Sequence, residues 1–89
     1  MKFVVYPEVD MTSLQGYVTS TYDDLVRVFG EPQYQSDGKV TCEWNLKFAD
    51  GTVATIYDYK EGTTPKGVYD WHVGGFNNYA VNRVTEALS

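Results

Sequence analysis

Val40-Thr-Cys-Glu-Trp-Asn-Leu-Lys-Phe48 is the stretch that decides the fold. Val40, Cys42, Trp44, Leu46 and Phe48 alternate with Thr41, Glu43, Asn45 and Lys47, a period of two sustained over nine residues, as in a strand with one face on a core and one toward water. Ala49-Asp50-Gly51 then supplies turn chemistry, and the β-rich Thr52 to Tyr59 follows, so the pair reads as a hairpin. Two registers compete. A two-residue Asp50-Gly51 turn sets Phe48 opposite Val53, Trp44 opposite Tyr57 and Glu43 opposite Asp58. A three-residue turn, Ala49 to Gly51, with a glycine bulge sets Trp44 opposite Ile56. The first register opposes two carboxylates, which is unfavourable unless something basic covers them.

Beyond the hairpin, Glu61 to Gly67 holds two glycines and Pro65 and reads as a mobile surface loop available for contacts. Tyr69 to Val73 reads as a third core strand, with Trp71 and Val73 on one face and Asp70 and His72 on the other; Gly74-Gly75 closes it. Asn77 then caps a helix whose apolar stripe is Ala80, Val81, Val84, Ala87 and Leu88. Before the hairpin, Phe3 to Tyr6 is a short strand stopped by Pro7 and suited to an edge, and Gln15 to Val18 is a second extended piece. Thr21, with Asp24 three residues on, starts a two-turn helix with Tyr22, Leu25, Val28 and Phe29 on one face; Gly30 ends it and Pro32 prevents its resumption. The expected fold is α+β: a small, mostly antiparallel sheet with two helices packed on one face.

The 89 residues are enough for one domain and too few for two cores. With 43% hydrophobic and 21% charged residues the chain has the composition of a globular protein, and no apolar run reaches the ~18 residues of a spanning helix. No signal peptide is expected in Met1 to Asp10, where the apolar stretch is short and broken by Pro7. The lone Cys42 cannot close an intramolecular disulfide, which favours a reducing cytoplasm. A formal charge of −5 removes the driving force for gripping nucleic-acid phosphates and suits a basic protein partner.

Gly16 through Pro32, in the pattern Gly-x5-Tyr-x2-Leu-x3-Phe-Gly-x-Pro, followed by a tryptophan-bearing strand and a second strand, resembles the helix-plus-hairpin unit of β-lactamase inhibitory protein and of outer-membrane assembly lipoproteins. Leu25-Val-x-x-Phe-Gly-Glu-Pro32, Gly38-Lys-Val-x-x-Glu-Trp44, Phe48-Ala-Asp-Gly-Thr-Val-Ala-Thr-Ile-Tyr-Asp-Tyr59 and Asp70-Trp-His-Val-Gly-Gly75 together resemble a family of small uncharacterised proteins of tailed bacteriophages. That resemblance implies phage origin and a place in the host bacterial cytoplasm. Small acidic phage proteins are often inhibitors of host defence or host enzymes.

Several residues are candidates for chemistry. His72 is the sole histidine, and no spacing matches a metal motif, so no metal or other cofactor is expected. A Cys42, His72, Asp70 nucleophile arrangement can be drawn, but Cys42 lies on the apolar phase of its strand, where cysteine acts as a small hydrophobe. No enzyme is expected. Glu43 and Asp58, joined by Asp50, Glu61 and Asp70, would form a negative patch facing a basic host protein; with Tyr57, Tyr59 and His72 these acids make a candidate partner-binding surface. Trp44 and Trp71, on adjacent strands, read as core, whereas several of Tyr17, Tyr34, Tyr57, Tyr59, Tyr69 and Tyr79 should reach the surface, an interface or a homodimer seam. The alternative site is Gly74, Gly75 and Asn77, a glycine turn before a helix whose N–H groups would hold the phosphates of a sequestered nucleotide.

Overall fold

The computed structural model describes residues 2–6, 9, 11–34 and 39–89. Pro7, the expected stop of the first strand, and the side chain of Tyr34 lie outside the described residues. The chain forms an antiparallel sheet with two helices. The elements are β1 (Phe3–Val5), β2 (Ser13–Ser20), α1 (Tyr22–Phe29), β3 (Gln33–Tyr34), β4 (Cys42–Phe48), β5 (Val53–Tyr57), β6 (Tyr69–Gly75) and α2 (Tyr79–Leu88). Strand order is β1-β4-β5-β6-β2, and the two-residue β3 also pairs with β4. Chain neighbours β1 and β2 thus sit at opposite edges.

The hairpin takes the three-residue turn. Gly51 has φ +91, a left-handed conformation open to glycine, the Phe48 N–H donates to Thr52 O at 2.8 Å, and Trp44 pairs with Ile56. This register sets Cys42, Trp44, Leu46 and Phe48 beside Ala54 and Ile56 on the face that the helices cover. Trp71, Val73 and Val18 continue that face across β6 and β2, and Leu25, Phe29, Ala80 and Val84 close it from α1 and α2.

The two tryptophans are core, but β5 separates their strands, a correction to the expected adjacency. Their rings meet edge to face at 5.5 Å between centroids across β5. Each indole N–H is satisfied: Trp44 Nε1 donates to Gly30 O at 2.8 Å and Trp71 Nε1 to Ser20 O at 3.1 Å. Both acceptors flank α1, so the core rings also fix where that helix begins and ends. Its N-cap is Thr21, whose Oγ1 accepts from the Asp24 N–H at 3.2 Å, and the Gly30 N–H bonds Val26 O.

The ends of β6 and α2 differ from expectation. Gly74 and Gly75 do not close the third strand; they extend it, paired on one side with Leu14 and Ser13 and on the other with Thr55 and Ala54. A Cβ on Gly75 would stand 2.6 Å from Ala80 Cβ and 2.9 Å from Val53 O, so glycine there lets α2 lie close on the sheet. The N-cap of α2 is Asn78, and Asn77 contributes one residue earlier, its Oδ1 accepting from the Tyr79 N–H at 3.0 Å. The 61–67 loop lies mostly exposed, as expected of a surface loop, and makes contacts with the body: Thr64 Oγ1 lies 2.7 Å from Thr41 Oγ1, and Lys66 Nζ sits 3.8 Å from the centre of the Tyr22 ring.

Candidate functional site

On the face away from the helices, the register lines up one transverse row across five strands. Gln33 pairs with Glu43, Glu43 with Tyr57, Tyr57 with His72, and His72 with Tyr17. Facing residues of a ladder share a side of the sheet, so the row gathers two tyrosines around one imidazole. Tyr57 stacks on His72 at 5.3 Å between centroids, Tyr17 meets it edge-on at 5.0 Å, and Tyr59, just beyond β5, meets it at 5.6 Å. With Leu14 these four rings line an open cup of about 490 Å³. Gly74 keeps space beside it, since a Cβ there would lie 2.5 Å from Thr55 Oγ1 and 3.6 Å from the Tyr57 ring.

The cup is exposed at its rim and holds a buried, unpartnered nitrogen at its base. Tyr17 is 54% exposed and Leu14 47%, and the two lie side by side at the rim. His72 Nδ1, by contrast, is sealed from solvent with no hydrogen-bond partner among the described residues. Burial pushes the Tyr57 phenol pKa up, and the neighbouring Glu43 carboxylate pushes it further. The Tyr57 hydroxyl can both donate and accept.

The expected acidic patch is rearranged. Glu43 stays on the open face in the row with Tyr57, and exposed Asp70 lies on that face too, its Oδ1 accepting from Thr19 Oγ1 at 2.6 Å. Asp58 is not on the patch; it is 0% exposed. The three-residue turn shifts the pairing by one, which sends Asp58 to the other side of the sheet from Glu43. There Oδ1 accepts from the Thr41 N–H at 2.8 Å and the Cys42 N–H at 3.3 Å, and Oδ2 from Thr41 Oγ1 at 2.6 Å. Asp58 is a structural acid that ties the start of β4 to the end of β5. Glu61 keeps away from the cup, beside the Tyr69 hydroxyl, whose ring packs edge-on against Trp71 on the core side. Asp50 pairs with Arg83 of α2 at 2.8 Å.

The alternative phosphate cradle is also overturned. Gly74 and Gly75 are buried between β2 and β5 rather than turned toward solvent, and the Asn77 carboxamide oxygen is engaged by Tyr79 N–H. The drawn nucleophile arrangement is not assembled either. Cys42 lies in the core and His72 on the opposite face, and burial followed by the Asp58 charge pushes the thiol pKa up, away from the reactive thiolate. Among the described residues no three histidine, cysteine or acidic side chains converge to hold a metal ion, and no helix is long and apolar enough to cross a membrane.

Tyr57, Tyr59 and His72 are thus brought together, with Glu43 and Asp70 flanking them on the same face. Leu14 and Tyr17 complete the cup, and neither was among the expected partner-binding residues. Tyr17 falls in line with His72 only through the β2–β6 register, which shifts between Leu14 and Gly16. That bulge leaves no signature in spacing. No family model, curated protein or solved structure matches the chain.

Proposed function

We propose that the chain is a noncatalytic, phage-encoded binding protein that occupies a basic surface of a host protein in the bacterial cytoplasm, of the kind found on nucleic-acid-handling defence complexes. Its role would be inhibition, as in anti-CRISPR or other anti-defence proteins. The observation that carries this reading is the cup: four rings gathered on a helix-free face, two acids on the same face, and a formal charge of −5 over the whole chain. Exposed tyrosine supplies large contact area at low entropic loss, and flanking acids steer a basic partner and select it. The phage origin rests on the sequence resemblance alone.

Capture from bacterial lysate by the wild-type chain and by a Tyr17→Ala, Tyr57→Ala double variant tests this. A host protein held by the wild type, released as ionic strength rises and lost with the double variant is the expected result. A partner indifferent to salt and to both substitutions, or no partner at all, overturns it.

A second reading, a sponge for a nucleotide signal, keeps one observation in its favour: a cup of about 490 Å³ is within the range of small-ligand sites, and its rings could stack a base. It has lost the glycine cradle for phosphate. Thermal-shift screening against linear and cyclic nucleotides decides it, because a ligand at a hundred times its Kd stabilises by ~2.7 kcal/mol.

A further inference from the structure

The strand β2 is the outermost of the sheet, and no strand among the described residues pairs with its other edge. An edge presents a row of unused N–H and C=O groups, which soluble proteins normally guard with charge, proline or shortness. The opposite edge is guarded in this way: β1 has three residues and starts beside Lys2. By contrast, Ser13-Leu-Gln-Gly-Tyr-Val-Thr-Ser20 runs for eight residues without a charge or a proline. Its one irregularity, the register shift between Leu14 and Gly16, turns Leu14 and Tyr17 toward the cup although they are three residues apart. The unguarded edge and the cup are therefore contiguous.

We propose that they form one peptide site, in which an extended, arginine-bearing segment of the partner adds to the sheet along β2 and lays one guanidinium into the cup. This rests on the reading of the chain as a binder of a basic protein and specifies how that protein is held. Strand addition supplies main-chain hydrogen bonds along the edge, and a pocket beside it supplies side-chain selection. A planar guanidinium stacks on aromatic faces, and its fork of N–H donors suits the carboxylate of Asp70, which Thr19 holds one step along the same face from Tyr17. Cations already sit over the rings of Tyr6, Tyr22 and Tyr79; at the cup Lys60 Nζ lies 5.2 Å from the centre of the Tyr59 ring, so Tyr17, the most exposed of the cup's rings, is the one that receives the guanidinium. A second copy as occupant would bring another formal charge of −5 against the same surface, whereas a basic segment complements it.

The test is an NMR titration of the ¹⁵N-labelled chain with a short peptide of alternating threonine and valine that carries one central arginine. The expected result is perturbation of the Ser13 to Ser20 amides together with the Tyr17 and His72 ring signals. Replacing the arginine by citrulline, which keeps its shape and removes its charge, should weaken binding roughly tenfold, and Tyr17→Ala in the protein should do the same. Methylating alternate peptide nitrogens should abolish the effect on the β2 amides. The citrulline and methylated peptides leave the protein untouched, so the result does not depend on a variant folding. Absence of any perturbation at millimolar peptide overturns the site, as does equal binding of the arginine and citrulline peptides. So does sedimentation of the free chain as a dimer with its β2 amides protected. A null titration beside a salt-sensitive host partner sinks the peptide site alone; lack of any host partner sinks the broader reading.

Discussion

The two faces of the sheet use aromatic side chains in opposite ways. Under the helices, Trp44 and Trp71 are buried, meet each other edge to face, and have both indole N–H groups bonded to backbone carbonyls beside α1. On the other face, Tyr17, Tyr57 and Tyr59 surround an imidazole with a sealed, unpartnered nitrogen, and the buried Asn45 Oδ1 nearby in the next row is also unpartnered. Both buried polar atoms without partners among the described residues thus lie on the face that no helix covers. Among the described residues, buried polar side chains have their partners under the helices and lack them where the cup is built, the pattern expected when one surface is kept for a purpose other than folding.

The sharpest way to break this comparison is to truncate one ring on each face. Trp71→Ala should destabilise by ~3–5 kcal/mol, because a large cavity opens beneath both helices. Tyr17→Ala, at an exposed position, should cost less than ~1 kcal/mol. Urea unfolding of both variants measures the difference, and equal losses would show that the cup is part of the core. Asp58→Ala comes next, at about 3 kcal/mol, since it strands the half-buried Thr41 N–H and the buried Cys42 N–H. Asp58→Asn should recover a good part of that loss by keeping one acceptor oxygen, and a loss as large as for alanine would mean that the charge matters rather than the hydrogen bonds.

His72→Phe tests the open face more subtly. The ring volume and stacking on Tyr57 are retained, while the sealed Nδ1 is removed, so stability should be unchanged or rise by up to about 1 kcal/mol. Partner capture should be retained, because phenylalanine keeps an aromatic face at the base of the cup. A clear loss of stability would mean that Nδ1 is satisfied after all and that the base of the cup is ordinary core.

The same contrast explains what the residues disclosed. The alternation in Val40 to Phe48 and the Thr21 and Gly30 signals of α1 report local backbone preference and one-sided burial; α1 forms where its signals place it, and the strand forms over Cys42–Phe48, two residues after the alternation begins. The turn was readable only as two alternatives, since Ala49-Asp50-Gly51 suits either geometry, and that one-residue ambiguity decides whether Asp58 is a surface acid or a buried one. The reach of β6 through Gly74-Gly75 was hidden because glycine is a turn signal by default, whereas here it is selected by the closeness of Thr55 and Ala80. Tyr57, Tyr59 and His72 were legible as a surface group from strand phase. Tyr17 was not placed with them, because its position depends on a bulge between strands distant in sequence.

Asp50 offers the smallest and cleanest test, because it is an acid bound into the helix layer rather than displayed beside the cup. The Thr52 N–H and then the Arg83 guanidinium hold its carboxyl at about 2, below the ordinary 3.8. A pKa depressed by folding contributes stability that is fully present above the unfolded value and is lost as pH falls through the folded one. The wild type should therefore be slightly more stable than Asp50→Asn above pH ~4, with the difference shrinking as pH drops toward about 2. Unfolding midpoints of the two proteins across that window measure it. Partner capture at neutral pH should be the same for both, because Arg83 already neutralises this carboxylate at 2.8 Å and it lies outside the Tyr57–His72–Tyr17 row. If Asp50→Asn weakens capture as much as loss of Asp70 does, partner choice follows total charge, and the ordered row of rings and acids on the open face has no part in it.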